Sequence, residues 1–345
     1  MKRGLLLWLR RRWLLILVTI GFILLIIFRL DELKQLAATV VQGQWPWLLA
    51  ALFLQLVYYI LLGVLYQAAF AVVEVKTRLR ELIPVLLASV FVTTLAPTGG
   101  VSGAALFIDD VARHGQSPAK AAEGVLLVWV AQNVALLPVL ALGMAYLAAH
   151  GRLQAYQIVG AAVFLLLVVG LAGVLLLGHW QRARLHALLE WVQRTVNAFA
   201  RWLRRPPFLA ADWAEVNATE FSDAALAIAT RPKELGYTLA VALAHTIVNL
   251  ASLFAIFLAY HFPVAIGAVA AGFALSIAFA VISVLPLDMA LVQGVMAVVY
   301  TSLGVPTATA LAVVLVFGGF NAWLPLAIGF FLLREVRSFG GGERP

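Results

Sequence analysis

The feature that most constrains this chain is a series of long apolar runs without charge. "WLLAALFLQLVYYILLGVLYQAAFAV", residues 47–72, contains no Asp, Glu, Lys or Arg. A hydrocarbon core is spanned by about 20 apolar residues in a helix. Lipid offers no hydrogen bonds, so a spanning segment must satisfy its own backbone. Hydrophobic residues make up 64% of the chain and charged residues 12%, against roughly 25% charged in a soluble domain. The chain therefore reads as one integral membrane domain over 1–345, not as two soluble domains.

Further runs lie at 13–28, 119–148, 156–177, 235–260 and 307–333. The first could belong to a signal peptide, but no small-residue cleavage site follows closely, so a retained membrane helix is favoured. Two more elements, 82–115 and 264–303, are apolar but broken, at Pro97–Gly100 and near Pro286. The expected fold is all-α: a polytopic membrane helical bundle of about six full spans plus two broken or re-entrant helical hairpins.

Charge sets the orientation. With a cytoplasmic N-terminus, and each broken element entering and leaving on one side, 21 of the 24 Lys and Arg fall on the cytoplasmic side. This follows the positive-inside rule and predicts a multi-pass protein of the cell (inner) membrane with both termini cytoplasmic. A hairpin and two full spans give the same parity, so the count does not separate them. The net charge of +8 sits at helix ends, which argues against nucleic acid as a partner. The absence of cysteine excludes disulfides, thiolate metal sites and cysteine nucleophiles.

A polar insert, 179–234, interrupts the spans. Leu185, Leu188, Leu189, Val192, Val196, Phe199 and Leu203 recur at helical spacing among arginines. This is a basic amphipathic helix suited to a membrane surface; a solvated connector docking on the bundle is the alternative. A second helix is expected within 210–230.

The broken elements match each other. Pro97 precedes Gly115 by eighteen residues, and Pro286 precedes Gly304 by eighteen. Pro118 and Pro306 then open long helices. Each broken element has a span before and after it, and the two trios run in opposite directions. That is an inverted-topology repeat, the plan of transporters whose sites lie between repeats near the midplane.

Irregular backbone in the membrane is tolerated where protein buries it or where it lines a wet cavity. Pro97 ends the entering half-helix, and Gly99, Gly100 and Gly103 permit a tight turn. The returning helix would then start inside the membrane with a positive dipole end, supplemented by the hydroxyls of Thr98 and Ser102. Such a start suits an anion such as a lipid phosphate. Ordinary small-residue helix packing is the competing account.

Intramembrane polar residues extend the candidate set. Asp288 lies at the tip of the second element, where a carboxylate needs a partner; His245 and Asn249, one turn apart, are the expected ones. If the second element spans fully, Asp288 is instead an interfacial residue. Gln132, Asn133 and Asn321 either bond between helices or line a cavity. Asp109 and Asp110 lie near Arg113 and His114, as an interfacial charge cluster or a gate.

"LAPTGGVSGAALFIDDVARHGQSPAKAAEGVLLVW" and "SVLPLDMALVQGVMAVVYTSLGVPTATALAVVLVFGGFNAWLP" resemble the two signature regions of the flippase-like membrane domain of lysylphosphatidylglycerol synthases. The resemblance covers nearly the whole chain. Pro97, Gly99, Gly100, Ser102 and Gly103 match the first signature. The second matches at Pro286 and Gly304, while Leu287 and Asp288 replace usual glycines and Gln293 replaces a usual glutamate. The resemblance implies the stand-alone form, without the aminoacyl-transferase domain.

The function expected is movement of an anionic or polyprenyl-phosphate-type lipid between leaflets, with a substrate site drawn from Pro97, Thr98, Gly99, Gly100, Ser102, Gly103, Pro286, Asp288, Gln293, His245 and Asn249. No nucleophile–base pair, metal-ligand cluster or nucleotide loop is visible, so neither catalysis nor a cofactor is expected. An enzyme acting on lipid headgroups and a membrane partner of a lipid-modifying enzyme stand as alternatives. A second copy of the chain, or an enzyme, is left open as a partner.

Overall fold

The computed structural model describes residues 29–95, 101–180, 230–282 and 288–332, with short stretches between 186 and 219. Residues 1–28, 96–100 and 283–287, most of 181–229 and residues 333–345 lie outside the described residues. The described chain is helical: α1 (Leu30–Gln42), α2 (Trp45–Val72), α3 (Leu79–Leu95), α4 (Val101–Arg113), α5 (Pro118–Ala149), α6 (Ala155–Trp180), α7 (Pro232–Ala259), α8 (Ile266–Ile282), α9 (Asp288–Ser302) and α10 (Thr307–Leu332).

Local chemistry marks the ends. Pro46, Pro118 and Pro232 sit in the first turns of α2, α5 and α7, where a missing N–H costs no helical bond. Ser117 caps α5 by accepting from the Lys120 N–H. α2, α5, α7 and α10 are long and apolar enough to cross a membrane. On α2, Leu49, Phe53, Leu56 and Ile60 are exposed. They recur at helical spacing and form an apolar stripe suited to hydrocarbon. The protein is a multi-pass membrane protein built as a polytopic helical bundle.

α2 and α7 are the central pair and run antiparallel. The Gln44 N–H donates to Ala259 O at 2.9 Å, Ser252 Oγ to Ala51 O at 3.0 Å, and Arg231 Nη1 to Ala71 O at 3.3 Å. α3 packs against α10 and α4, while α8 packs against α5 and α9. α6 lies on α8, and α1 on α10. At two of these crossings backbones nearly touch. A Cβ added to Gly143 on α5 would stand 2.5 Å from Ala271 Cα of α8, and one on Gly329 of α10 would stand 2.5 Å from Leu87 O of α3.

Three pairs of elements recur at one spacing, while α5 and α10 start 189 positions apart. α2 and α7 are each 28 residues long and start at positions 45 and 232. α3 and α8 are each 17 residues long and start at 79 and 266. α4 and α9 start at 101 and 288. Each second start lies 187 positions after the first. Pro138 inside α5 and Pro325 inside α10 are separated by the same interval. So are the two described non-glycine residues with positive φ, Glu74 (62°) and His261 (57°), which follow α2 and α7. Each lies in a Schellman closure: the Val75 N–H reaches Phe70 O and the Phe262 N–H reaches Phe257 O.

Pro97 and Pro286, where breaks are expected, lie outside the described residues, in the stretches that separate α3 from α4 and α8 from α9. α1 is an addition: its residues, LDELKQLAATVVQ, carry too many charges to register as an apolar run, and the helix forms by laying its apolar side, Leu36 included, on α10.

Candidate functional site

The first broken element borders a cavity of about 530 Å³ between α3, α4, α5 and the end of α2. Ser89 and Thr93 line it from α3, one turn apart. Gly103 and Ala104 face them from α4, and Trp129 and Gln132 close it from α5. Tyr66 covers one side, its ring stacked on Phe107 at 4.1 Å. Gly103 is the close-approach point: a Cβ there would collide with Thr93 Oγ1 and stand 3.1 Å from Ser89 O. Any larger residue would push α4 from α3 and fill the cavity mouth.

The polar wall leads inward to the bundle centre. Gln132 Nε2 lies 3.3 Å from His245 Nε2 on α7. His245 is 4% exposed, its Nδ1 is 3.3 Å from Tyr58 O, and its ring stacks on Tyr58. One turn further along α7, Asn249 is buried, and its Oδ1 has no partner among the described residues. Across the pair, Gln55 Nε2 donates to Asn321 Oδ1 at 2.9 Å, and Tyr59 OH donates to Asn321 O at 2.8 Å. Gln55 Oε1 is also buried without a partner. A belt of neutral polar groups thus crosses the apolar interior at the level of the central helix contact.

Of the site residues expected from sequence, Gly103 lines the cavity, and Ser102 precedes it, half-buried. His245 reaches the cavity wall through Gln132, with Asn249 beside it. Gln293 does not join this group. Its amide lies against Gly318 of α10, and it does not line the cavity. Pro97, Thr98, Gly99, Gly100 and Pro286 lie outside the described residues, as does the side chain of Asp288, whose backbone begins α9. Gln132 and Asn321 bond between helices, whereas Asn133 donates back to Trp129 O of its own helix at 2.7 Å.

Ser89, Thr93, Gln55 and the Tyr58–Tyr59 doublet were not singled out in the sequence. Their signal was present: Ser89 and Thr93 share one face of an apolar helix, and Gln55 is one of two amides in an uncharged span. Such residues in membranes most often bond between helices, so position decides.

A charged cluster marks the bundle end where α2 stops. Glu74 takes a hydrogen bond from Lys120 Nζ at 2.9 Å, at the start of α5, and pairs with Arg231 at the start of α7. The Lys120 hydrogen bond, then the charges of Lys120 and Arg231, hold the Glu74 carboxyl below its usual range. On α4, Asp109 pairs with Arg113 at 2.8 Å, and Asp110 lies 3.6 Å from His114. This is the geometry of a charge cluster at a helix end.

The family described as "Lysylphosphatidylglycerol synthase TM region" matches residues 12–329 of the chain. No curated protein matches it significantly.

Proposed function

The chain belongs to the lysylphosphatidylglycerol synthase transmembrane-region family, and on that premise we propose that it moves an anionic or polyprenyl-phosphate-type lipid between leaflets. The reading makes it a transporter in the cell membrane with cytoplasmic termini, not an enzyme. The observation that carries it is the cavity beside Gly103, bounded by Ser89, Thr93 and Gln132 within a membrane-crossing bundle. α4 begins at this cavity, and the positive end of its dipole favours an anion. Hydroxyls and an amide on the wall offer hydrogen bonds to a phosphate or glycerol. Trp129 is 42% exposed and provides an apolar side along which acyl chains can trail.

The spacing of 187 residues shared by three pairs of elements, with α2 antiparallel to its counterpart α7, supports reading the two trios as an inverted repeat. In that reading each broken element is a re-entrant pair, and exchange between two orientations of the trios would expose the cavity to one leaflet at a time. The polar belt from Gln132 to Asn321 is then the path that a headgroup follows across the midplane.

Liposomes with a headgroup-labelled anionic lipid and an impermeant quencher test this. Quenching should pass the half expected of the outer leaflet alone, and Gly103→Leu should slow the second half at least tenfold. Quenching that stays at half with each anionic lipid tried, with and without a proton gradient, would refute the reading.

A further inference from the structure

A second cavity, of about 1000 Å³, opens at the bundle end where α2 stops and α7 begins. It shares no lining residue with the cavity beside Gly103. Its floor is apolar: Val64, Ala68 and Ala71 lie along one face of α2. Tyr237 of α7 flanks the floor and is 57% exposed, the placement typical of an aromatic ring at a membrane interface.

The rim is charged. Lys76, Arg231 and Lys233 contribute cations, and Glu74 and Glu234 contribute carboxylates. Glu74 is committed to Lys120 and Arg231, so that triad carries a net positive charge. Lys76 is held at the rim by its backbone: its N–H donates to Gln116 Oε1 at 2.7 Å, and its carbonyl accepts from Gln116 Nε2 at 2.8 Å. Beside it, Thr77 O accepts from Gln67 Nε2 at 3.1 Å. Thr77 Oγ1 is buried and has no partner among the described residues. A buried hydroxyl left unbonded is unfavourable, and because Thr77 lines the cavity, rotation about its Cα–Cβ bond would turn the hydroxyl from the wall toward a ligand oxygen.

We infer that this cavity binds the phosphate of an anionic phospholipid, placed between Lys76 and Lys233, with the Thr77 hydroxyl turning toward it. The acyl chain lies along Val64, Ala68 and Tyr237. A free phosphate would use the same cations, but it would leave the apolar floor uncovered. Cations at the end of an apolar span meet headgroups at their natural depth. The inference goes beyond translocation: a lipid held here anchors or regulates the bundle whether or not lipid crosses beside Gly103.

The test uses the purified full chain in phosphatidylcholine nanodiscs, titrated with acyl-labelled phosphatidylglycerol. Lys76→Gln with Lys233→Gln should weaken binding on the order of tenfold. Lys76→Arg with Lys233→Arg should restore it to within about twofold, since the charge returns. Thr77→Val should weaken binding without changing the charge, and Arg80→Gln, outside the cavity, should not. Unchanged affinity in the double Gln variant overturns the inference. Competition by glycerol phosphate at the same concentration as the lipid also overturns it, because the site would then be one for soluble phosphate. Binding here and scrambling through the cavity beside Gly103 are separate readouts, so the failure of one is distinguishable from the failure of the other.

Discussion

Tyr58 and His245 stack with ring centroids 4.1 Å apart and planes 21° from parallel, and they are 187 positions apart, the same interval as the starts of α2 and α7. In the inverted repeat proposed above, a residue packed on its own counterpart would lie on the axis that exchanges the two. The antiparallel register agrees: Gln44 meets Ala259, Ala51 meets Ser252 and Tyr58 meets His245, each pair at a constant sum of positions. The stack is therefore the centre of the central helix pair, and Gln132 ties the cavity wall to it.

His245→Ala should lower stability by about 1–3 kcal/mol through lost packing and the stranded Gln132 amide. His245→Phe keeps the stack and loses only hydrogen bonds, which average about 0.6 kcal/mol in membranes, so it should cost under about 1 kcal/mol. Thermal unfolding in a neutral detergent checks both. Equal losses would mean that the polar contacts, not the stack, hold the centre.

Gly143 and Gly329 stand at equivalent crossings, α5 on α8 and α10 on α3. In each case the atom facing a new Cβ is backbone, which cannot swing aside. Ala at either position should cost about 1–3 kcal/mol, as overpacking does. At Gly170, where nothing lies within 4 Å, Ala should be neutral or slightly stabilising, since it favours the helix. A set of three melting curves decides it: a loss at Gly143 or Gly329 no larger than at Gly170 would show that these helices separate freely.

Most of the helices were legible because uninterrupted apolar runs have one solution in lipid. Pro97 with Pro286 and Gly115 with Gly304 suggested a repeat, but the members of each pair are 189 positions apart, whereas the starts of α2 and α7 are 187 apart. α1 was not legible, because Asp31, Glu32 and Lys34 hide an apolar side that matters only once α10 is there to receive it. The polar belt was half legible. Gln132, His245, Asn249 and Asn321 stood out as polar residues in spans, but their grouping depends on the antiparallel register of α2 and α7, which no local pattern encodes. Thr93 and Ser89 looked like ordinary helix residues until Gly103 was seen packed against them.

Glu74 joins the starts of α5 and α7 to the end of α2. Its carboxyl is depressed below the ordinary value of 4.5, so its contribution is present above that value and lost as pH falls through the folded one. The melting-temperature difference between wild type and Glu74→Gln should be constant near neutrality and shrink below pH 4.5. High salt should shrink it too, since all three groups are partly exposed. A difference that widens on acidification would show that Glu74 is protonated more readily in the folded protein, contrary to its place between two cations.

Asn249 presents the sharpest separation of stability from function. Its Oδ1 is buried with no partner among the described residues, one turn from His245 on α7. A native structure that keeps an unsatisfied acceptor at its centre forgoes stability there, commonly about 1–3 kcal/mol. Asn249→Leu, close in volume and apolar, should therefore leave the melting temperature unchanged or raise it. If the belt carries headgroups, the same change should slow lipid transfer at least tenfold, because a midplane hydrogen-bonding position is gone. Melting and quenching measured on one preparation decide the matter. A variant that is destabilised and transports normally would make Asn249 a packing residue, bonded in the native protein to a group that stabilises the fold.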